Sequence, residues 1–250
     1  MEEISEHRID KWETLMFTYE SALKEIATKI DILNNEFIKI HNYNPIEHVT
    51  SRIKSSESIV KKLKRHGLEV NMDNMQNCLS DIAGIRIVCS FTSDIYRIAD
   101  RISSQSDIQV LTVKNYIANP KPNGYMSYHM IVSIPIFLTN DVIDTKVEIQ
   151  IRTIAMDFWA SLEHKIYYKF EGKAPAGIKD ELKECANIIS FLDEKMLSIN
   201  ESVKHYHEDF NGGVAMSSDT PLPVVSADNT GSSANSLDAL KSYYGSIAED

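Results

Sequence analysis

Within residues 145–152, polar and apolar side chains alternate strictly from Lys146 to Arg152. Val147, Ile149 and Ile151 are apolar, whereas the residues between them are charged or carry an amide. Such alternation is typical of a β-strand that has one buried face and one polar face. The polar face of this strand, which carries Glu148 and Gln150, is therefore either exposed to solvent or part of a site.

Strand and helix patterns also occupy the segments on both sides of this strand. Strand composition marks residues 82–91, 108–113 and 125–135. Helical spacing predicts a long first helix with an apolar stripe from Trp12 to Ile40, and further helices over residues 56–66, 93–103, 154–170 and 178–210. The pattern predicts an α+β fold, in which a mixed β-sheet of about five strands is flanked by helices, with long N- and C-terminal helices. The stripe on the first helix also indicates oligomerisation.

Charge is distributed unevenly along the chain. The net charge of −10 over 250 residues argues against broad binding to DNA or other nucleic acid, which needs an excess of Lys and Arg. Residues 50–70 reverse this sign, with six basic residues against Glu57 and Glu69. The six are Arg52, Lys54, Lys61, Lys62, Lys64 and Arg65. A local basic patch of this kind suits a small polyphosphate ligand.

Composition also predicts the cellular location of the protein, the role of its cysteines and which segment is disordered. The longest apolar runs are too short to span a membrane and the first ten residues are charged, so we expect a cytoplasmic protein. Three cysteines lie far apart, which favours neither a disulfide framework nor a zinc site. Residues 211–250 are rich in Ser, Gly, Asp and Asn, and we expect this tail to be disordered.

A turn sequence precedes the third strand-like segment. It runs Asn119-Pro120-Lys121-Pro122-Asn123-Gly124-Tyr125, with a glycine that can adopt positive φ. Strand alternation then projects the side chains of Tyr125, Ser127 and His129 from one face. Such a face can stack a base and hold its phosphates, although an ordinary hairpin with a packed tyrosine explains the same pattern.

Two carboxylates fall on predicted strands near the basic helix. Asp81 precedes the strand over residues 82–91, and Glu148 sits on the polar strand face. Mg²⁺ bound to a polyphosphate takes a few carboxylates and fills its other positions with water and phosphate oxygens. Taken singly, Asp81 is equally explained as a turn or cap residue and Glu148 as a solvated side chain.

Taken together, these segments resemble the synthetase domain of the RelA/SpoT family, and in particular its short single-domain members, the small alarmone synthetases. The resemblance runs from Thr50 to Lys169 through five segments in the family order. They are Arg52-Ile53-Lys54, Asp81-Ile82-Ala83-Gly84-Ile85-Arg86, Asn119 to Tyr125 with Ser127 and His129, Glu148-Ile149-Gln150-Ile151-Arg152-Thr153, and Phe158-Trp159-Ala160-Ser161-Leu162-Glu163-His164-Lys165.

The resemblance implies an activity and a domain plan. Members of the family transfer the β,γ-diphosphate of ATP to the ribose 3′-hydroxyl of GDP or GTP with the help of Mg²⁺, and they release AMP. Residues 50–170 would form the pyrophosphokinase domain, residues 1–49 an N-terminal helical extension and residues 171–210 a C-terminal helical region. A homo-oligomer, by resemblance a tetramer, is expected.

The resemblance also implies a role for each matching residue. Asp81 would hold Mg²⁺, and Glu148 would reach the metal or act as base on the 3′-hydroxyl. On the ATP side, Arg52 and Arg86 would sandwich adenine, and Lys54, Ser58 and Lys62 would bind the phosphate end. On the acceptor side, Tyr125 would stack its free ring on guanine, Asn123 would bond the edge of the base, Gln150 would line the site, and Lys114, Lys121 and His129 would hold the phosphates.

Two departures from the family pattern leave details open. Met126 and Tyr128 replace residues that the family usually has within Gly-Tyr-x-Ser-x-His, so the choice between GDP and GTP is open. His48 stands where some members carry an aromatic residue that binds the alarmone as an activator. Regulation by (p)ppGpp or by single-stranded RNA is therefore open as well.

Other functions fit parts of the same pattern. The same chemistry directed at the 3′ end of tRNA is one, although an acidic chain with a small basic patch disfavours it. A nucleotide- or RNA-binding regulator without catalysis is another, against which the intact Asp81 and Glu148 argue. Hydrolysis of the product is not expected, because the sequence has no His-Asp pair.

Overall fold

The structure of the chain, a computed structural model, describes residues 2–169 and 175–212. Five strands form one mixed sheet in the order β1-β2-β5-β4-β3. Their bounds are β1 Ile46–Ile53, β2 Ala83–Cys89, β3 Gln109–Asn115, β4 Tyr128–Phe137 and β5 Val142–Thr153. β2 and β5 are parallel, and the other three pairs are antiparallel. The predicted α+β class is confirmed.

Six helices accompany the sheet in the described part of the chain. Their bounds are α1 Glu2–His41, α2 Ser56–Arg65, α3 Met72–Cys78, α4 Thr92–Ser103, α5 Ile154–Lys169 and α6 Ala176–Gly212. Every predicted helix is present, whereas the short helix α3 was not predicted. No helix among the described residues combines the length and the apolar character that crossing a membrane requires. The expectation of a disordered tail falls, from residue 213 onward, outside the described residues.

Strand β1 has no alternating pattern, which is why its sequence did not predict a strand. Only Ile46 is buried, and six of the eight residues are exposed. β1 is an edge strand whose order comes from antiparallel pairing with β2 rather than from burial of one face. That pairing nevertheless decides the site, because it places Arg52 beside Gly84.

Helix α1 buries its apolar stripe against the chain's own sheet. Leu15, Tyr19, Leu23, Ile26 and Ile30 are all at most 7% exposed and belong to the main core. This part of the stripe packs within the chain, so it does not by itself argue for oligomerisation, which stays a prediction. Helix α4 packs on the same face of the sheet as α1, through Ile95, Ile98 and Ile102. The opposite face of the sheet carries the polar residues.

Helix α6 packs on α5 and on the turn before β4. Trp159 is 5% exposed and donates its indole N–H to the carbonyl of Leu182 at 2.8 Å, so its role is structural. With Ala160 and Ala186 it forms a second small core, against which Tyr125 packs. Helix α6 therefore forms part of the wall behind residues 119–125, the turn predicted to bind the acceptor nucleotide and called the acceptor loop below.

Candidate active site

The polar face of the sheet carries a cavity of about 280 Å³ where β1, β2 and β5 meet. Its lining includes Arg52 from β1, Arg86 from β2, and Glu148 and Gln150 from β5. Register explains the grouping, since Arg52 pairs with Gly84 and Gly84 pairs in turn with Glu148. The glycine has no side chain to fill the space between these two residues, so the cavity remains open.

Asp81 lies between two lysine ammonium groups. Lys54 Nζ is 2.7 Å from Asp81 Oδ2, and Lys62 Nζ is 2.8 Å from Asp81 Oδ1. Burial alone would raise the pKa of Asp81, but the hydrogen bonds from Lys54 and Lys62 outweigh it and hold the pKa below its ordinary value. The carboxylate is therefore ionised, and the cluster presents two cations around one anion.

The start of α2 fixes this lysine pair. Lys54 precedes the helix, and its backbone N–H donates to the carbonyl of Ile82 at 2.8 Å. Ser55 is the N-cap, and its hydroxyl oxygen accepts from the backbone N–H of Ser58. The Ser58 hydroxyl oxygen lies 2.9 Å from that of Ser55, so Ser58 sits in the first turn of the helix. Anions are favoured at such a helix start.

Glu148 is the carboxylate in the middle of the polar face. Gln150 Nε2 donates to Glu148 Oε2 at 3.0 Å, and His129 Nδ1 lies 3.7 Å from Glu148 Oε1. The second distance is too long for a direct hydrogen bond. One oxygen of Glu148 is thus oriented by an amide, whereas the other has no hydrogen bond from His129.

His129, Tyr125 and Arg152 form a connected chain beside Glu148. Arg152 Nη2 donates to the Tyr125 hydroxyl oxygen at 2.7 Å, and that hydroxyl lies 2.8 Å from His129 Nε2. Burial chiefly, with the positive charges of Arg152, Lys121 and Lys114, lowers the pKa of His129 to about 4. His129 is neutral at pH 7, and its Nε2 either accepts a hydrogen bond from the Tyr125 hydroxyl or donates one to it, depending on the tautomer.

Arg152 is the functional candidate that the residue patterns and the family resemblance left without a role. It is 5% exposed, and it donates to Asp157 Oδ1 at 2.9 Å and to Gln150 Oε1 at 3.1 Å in addition to Tyr125. Arg86 reaches the same Asp157 oxygen at 3.3 Å. The available signal was its position, because Arg152 follows Glu148 and Gln150 on the same face of one strand.

The acceptor loop differs from the sequence prediction in the state of the tyrosine ring. The Tyr125 ring is not free, because Lys121 Nζ lies 4.7 Å and the Arg152 guanidinium carbon 5.1 Å from its centroid. Lys121 also lies 4.6 Å from the centroid of Tyr116. Cations stack readily on aromatic rings, so a base that stacks here has to displace the flexible lysine.

Other residues of this region take unexpected partners. Asn123 Nδ2 donates to Glu163 Oε1 at 3.2 Å. Ser127 is fully buried and donates its hydroxyl to the carbonyl of Ile151, so it does not project into the site with Tyr125 and His129. β4 begins only at Tyr128, three residues later than predicted. Lys114 lies on β3 opposite His129 in the sheet register.

Comparison with known proteins identifies the family. The sequence profile described as "Region found in RelA / SpoT proteins" matches residues 51–173. A GTP pyrophosphokinase of Bacillus subtilis, YwaC, is 51% identical over 195 residues, which cover 78% of this chain and 93% of that protein. The chain belongs to the RelA/SpoT family.

Solved structures of the family share the fold described above. Small alarmone synthetase 2 from Bacillus subtilis is 50% identical with a TM-score of 0.69, and the match covers 76% of this chain and 98% of that one. Small alarmone synthetase 1 from the same organism, bound to its product pppGpp, is 34% identical with a TM-score of 0.72, covering 78% and 99%. Both matches take in nearly the whole of the solved chain.

Proposed function

We propose that this chain is a guanosine alarmone synthetase that transfers the β,γ-diphosphate of ATP to the 3′-hydroxyl of GDP or GTP in the cytoplasm. The observation that carries the proposal is the position of Glu148. It shares a cavity with Arg52 and Arg86, and it stands beside the chain formed by His129, Tyr125 and Arg152. The similar proteins support the same reaction, since they include a GTP pyrophosphokinase and a synthetase bound to pppGpp.

The ATP side comprises the β1–β2 edge and the start of α2. Arg52 and Arg86 both line the cavity, where two guanidinium planes hold adenine between them. Lys54 and Lys62 bind the phosphates, together with Ser58 at the start of α2. The pyrophosphokinase domain that we propose spans residues 50–170, between an N-terminal region, residues 1–49, and a C-terminal region, residues 171–210.

The acceptor side comprises the turn before β4 and the strands β3, β4 and β5. Lys121 moves from the Tyr125 ring to the phosphates, and Tyr125 then stacks on guanine. Asn123 breaks its hydrogen bond with Glu163 and bonds the edge of the base instead. Lys114 and His129 complete the phosphate contacts, and Gln150 orients Glu148.

The reaction is an in-line displacement at the β-phosphorus of ATP. Glu148 takes the proton of the 3′-hydroxyl, and the 3′-oxygen forms a bond to the β-phosphorus. The bond from that phosphorus to the oxygen bridging to the α-phosphorus breaks, and AMP leaves with this oxygen. The protein contributes mainly positioning and neutralisation of charge, which Lys54 and Lys62 supply.

The donor set fits a magnesium ion that is carried in with the nucleotide. Among the described residues, no three His, Cys, Asp or Glu side chains cluster closely enough to hold a metal on their own. Mg²⁺ typically takes one or two carboxylates and completes its shell with water and phosphate oxygens, and Asp81 and Glu148 offer those carboxylates. When bound, it would neutralise charge that develops on the phosphate oxygens.

A homotetramer is the assembly that we propose. Helix α6 exposes Ile188, Leu192, Met196, Ile199 and Val203, each about half accessible. Their spacing of three, four and seven residues places them on one face of the helix, where apolar side chains normally pack against another helix. Phe158 and Leu162 of α5 are exposed as well.

The experiment that tests the function is a comparison of acceptors. Purified protein is incubated with ATP labelled at the γ-phosphorus, Mg²⁺ and, in parallel, GDP, GTP, GMP or tRNA. We expect label on GDP and GTP with release of AMP. Transfer to tRNA alone would replace the proposal with the tRNA-modifying alternative, and binding without transfer would replace it with a silent regulator.

A further inference from the structure

A second cavity, of about 850 Å³, opens away from the polar face of the sheet. It is bounded by the end of α1, the residues that follow it, α4 and the end of α6. Its volume falls within the range of about 300–1,000 Å³ that is usual for small-ligand pockets. It shares no lining residue with the cavity that contains Glu148.

Cations dominate the lining of this cavity. Arg97 and Arg101 come from α4 and Lys204 comes from α6, against a single carboxylate in the lining, Glu36. The whole chain carries a net charge of −10, so this local excess of positive charge is not a reflection of composition. A concave basic surface on an acidic protein concentrates small anions.

Arg97 is held in a fixed orientation at the wall of the cavity. Its guanidinium carbon lies 5.9 Å from the centroid of Phe37 and 5.6 Å from that of Tyr43. Arg97 Nη1 lies 3.7 Å from Oδ1 of Asp94, a fully buried carboxylate whose Oδ2 accepts a 2.6 Å hydrogen bond from the Tyr43 hydroxyl. Orienting an arginine in advance lowers the entropy that binding has to overcome.

The two other strong cations are available to a ligand. Lys204 Nζ lies 4.9 Å from the centroid of the Tyr43 ring, a weak contact that a phosphate can outcompete. Arg101 has no ion pair with any carboxylate in the described part of the chain, and it faces the same cavity. The aromatic rings are already covered by Arg97 and Lys204, so recognition of a ligand here depends on its charge and not on stacking.

We propose that this cavity is a second binding site, separate from the catalytic one, for the di- or triphosphate group of a small ligand. Arg97 and Arg101 grip the phosphate oxygens from α4, and Lys204 closes on them from α6. Inorganic tripolyphosphate and the triphosphate group of a nucleotide share this chemistry. The cations line one bounded cavity rather than an extended stripe, which favours a small ligand over a nucleic acid strand.

Calorimetric titration with inorganic tripolyphosphate tests the site on the full chain. A background of Lys54→Gln, Lys62→Gln, Lys114→Gln and Lys121→Gln first removes the lysines that hold phosphates on both the ATP side and the acceptor side of the catalytic site. In that background we expect one remaining site, whose affinity falls about tenfold when Arg101→Gln or Lys204→Gln is added, since each substitution removes a charge-assisted contact. Lys39→Gln, an exposed lysine of α1 outside the cavity, is the matched control and should leave the affinity unchanged.

Other results of these titrations would overturn either the proposed site or the proposed class of ligand. Loss of all tripolyphosphate binding in this four-lysine background would overturn the proposal, and so would equal weakening by Lys39→Gln. Adenosine should not compete with tripolyphosphate for this site, whereas ATP should compete with it. Tighter binding of a ten-nucleotide single-stranded RNA than of tripolyphosphate would replace the small ligand with a nucleic acid. Arg101 and Lys204 are exposed, so their variants should fold normally, which a thermal melt checks.

Discussion

Gly124 lies against Ala186 so closely that a Cβ atom at position 124 would be 2.5 Å from the Cβ of Ala186. The same atom would lie 3.6 Å from Cα of Lys183. Gly124 also has φ of +89°, a conformation that side-chain-bearing residues rarely adopt. The turn that carries Tyr125 is therefore seated directly on helix α6, and the two can be expected to shift together.

The first prediction follows from this contact. Gly124→Ala should raise the KM for GDP or GTP at least about tenfold, with the KM for ATP little changed, because a displaced turn moves Tyr125. Gly67→Ala is the matched control, since Gly67 has φ of +70° but a Cβ atom added there would meet nothing within 4 Å. Both substitutions should cost about 1–2 kcal/mol of backbone strain.

A rescue separates the contact from the strain. Ala186→Gly added to Gly124→Ala removes the closest atom and should restore much of the acceptor affinity. Steady-state kinetics with each nucleotide varied in turn measures these effects. Equal loss in the Gly67→Ala and Gly124→Ala variants, or no rescue, would show that the packing of α6 does not matter to acceptor binding.

The second prediction concerns Arg152 as a positioning residue for Tyr125. Arg152→Lys cannot reach Tyr125, Gln150 and Asp157 together, so we expect kcat/KM for GDP or GTP to fall about 10- to 100-fold. Binding of ATP without acceptor should change much less. A fall in ATP affinity as large as that for the acceptor would indicate a general structural role for Arg152.

The third prediction concerns the charge of His129 in the nucleotide-free protein. Its pKa lies near 4 in the folded state and near 6.5 when unfolded, so the unfolded state binds more protons between these values. Stability should therefore decrease as the pH falls through this window, by about 3 kcal/mol at most from this residue. The contribution of His129 to stability should be fully present above pH 6.5.

Nuclear magnetic resonance measures this pKa directly. The ring protons of His129 should not titrate above about pH 5, and His129→Gln should flatten the loss of stability between pH 6.5 and pH 4. An ordinary titration of His129 near pH 6.5 would contradict its assignment as a neutral partner of Tyr125.

The fourth prediction concerns the exposed stripe of α6. Leu192→Glu should lower the native mass below four times the 28.4 kDa of one chain, because it places a charge in the proposed helix–helix interface. Glu201→Lys, an exposed change on the opposite face of the helix, should leave the assembly intact. Light scattering after size exclusion measures both masses, and equal masses for the two variants would place the interface elsewhere.

Sequence patterns predicted those parts of the site that lie within one strand or one turn. The alternation in residues 146–152 put Glu148 and Gln150 on a polar face, as the structure has them, because side-chain direction in a strand follows from position. The contact between Tyr125 and His129 did not follow from strand alternation, because β4 begins only at Tyr128. The prediction of a free Tyr125 ring was wrong, because Lys121 and Arg152 reach it by routes that no local pattern describes.

Contacts between residues that are far apart in the sequence could not be predicted from local patterns. The contact of Lys54 and Lys62 with Asp81 joins segments that are about 20 residues or more apart in the chain. Edge strand β1 has no alternation, and Arg152 gains its importance only from Tyr125 and Asp157 on other elements. The family resemblance placed Arg52 in the site, and the pairing of β1 with β2 gives the physical reason.

The central claim is that Glu148 promotes transfer of an intact diphosphate from ATP to a guanosine nucleotide. The most direct measurement follows the products of ATP labelled at the γ-phosphorus with GTP as acceptor, in the wild-type protein and in Glu148→Gln, with Asp81→Asn as a second variant. We expect one AMP for each labelled pppGpp formed, and a rate lower by at least about 10²-fold in each variant while its thermal melt stays close to that of the wild type. Near-normal turnover in Glu148→Gln, or label released as free phosphate instead of transferred, would contradict the account.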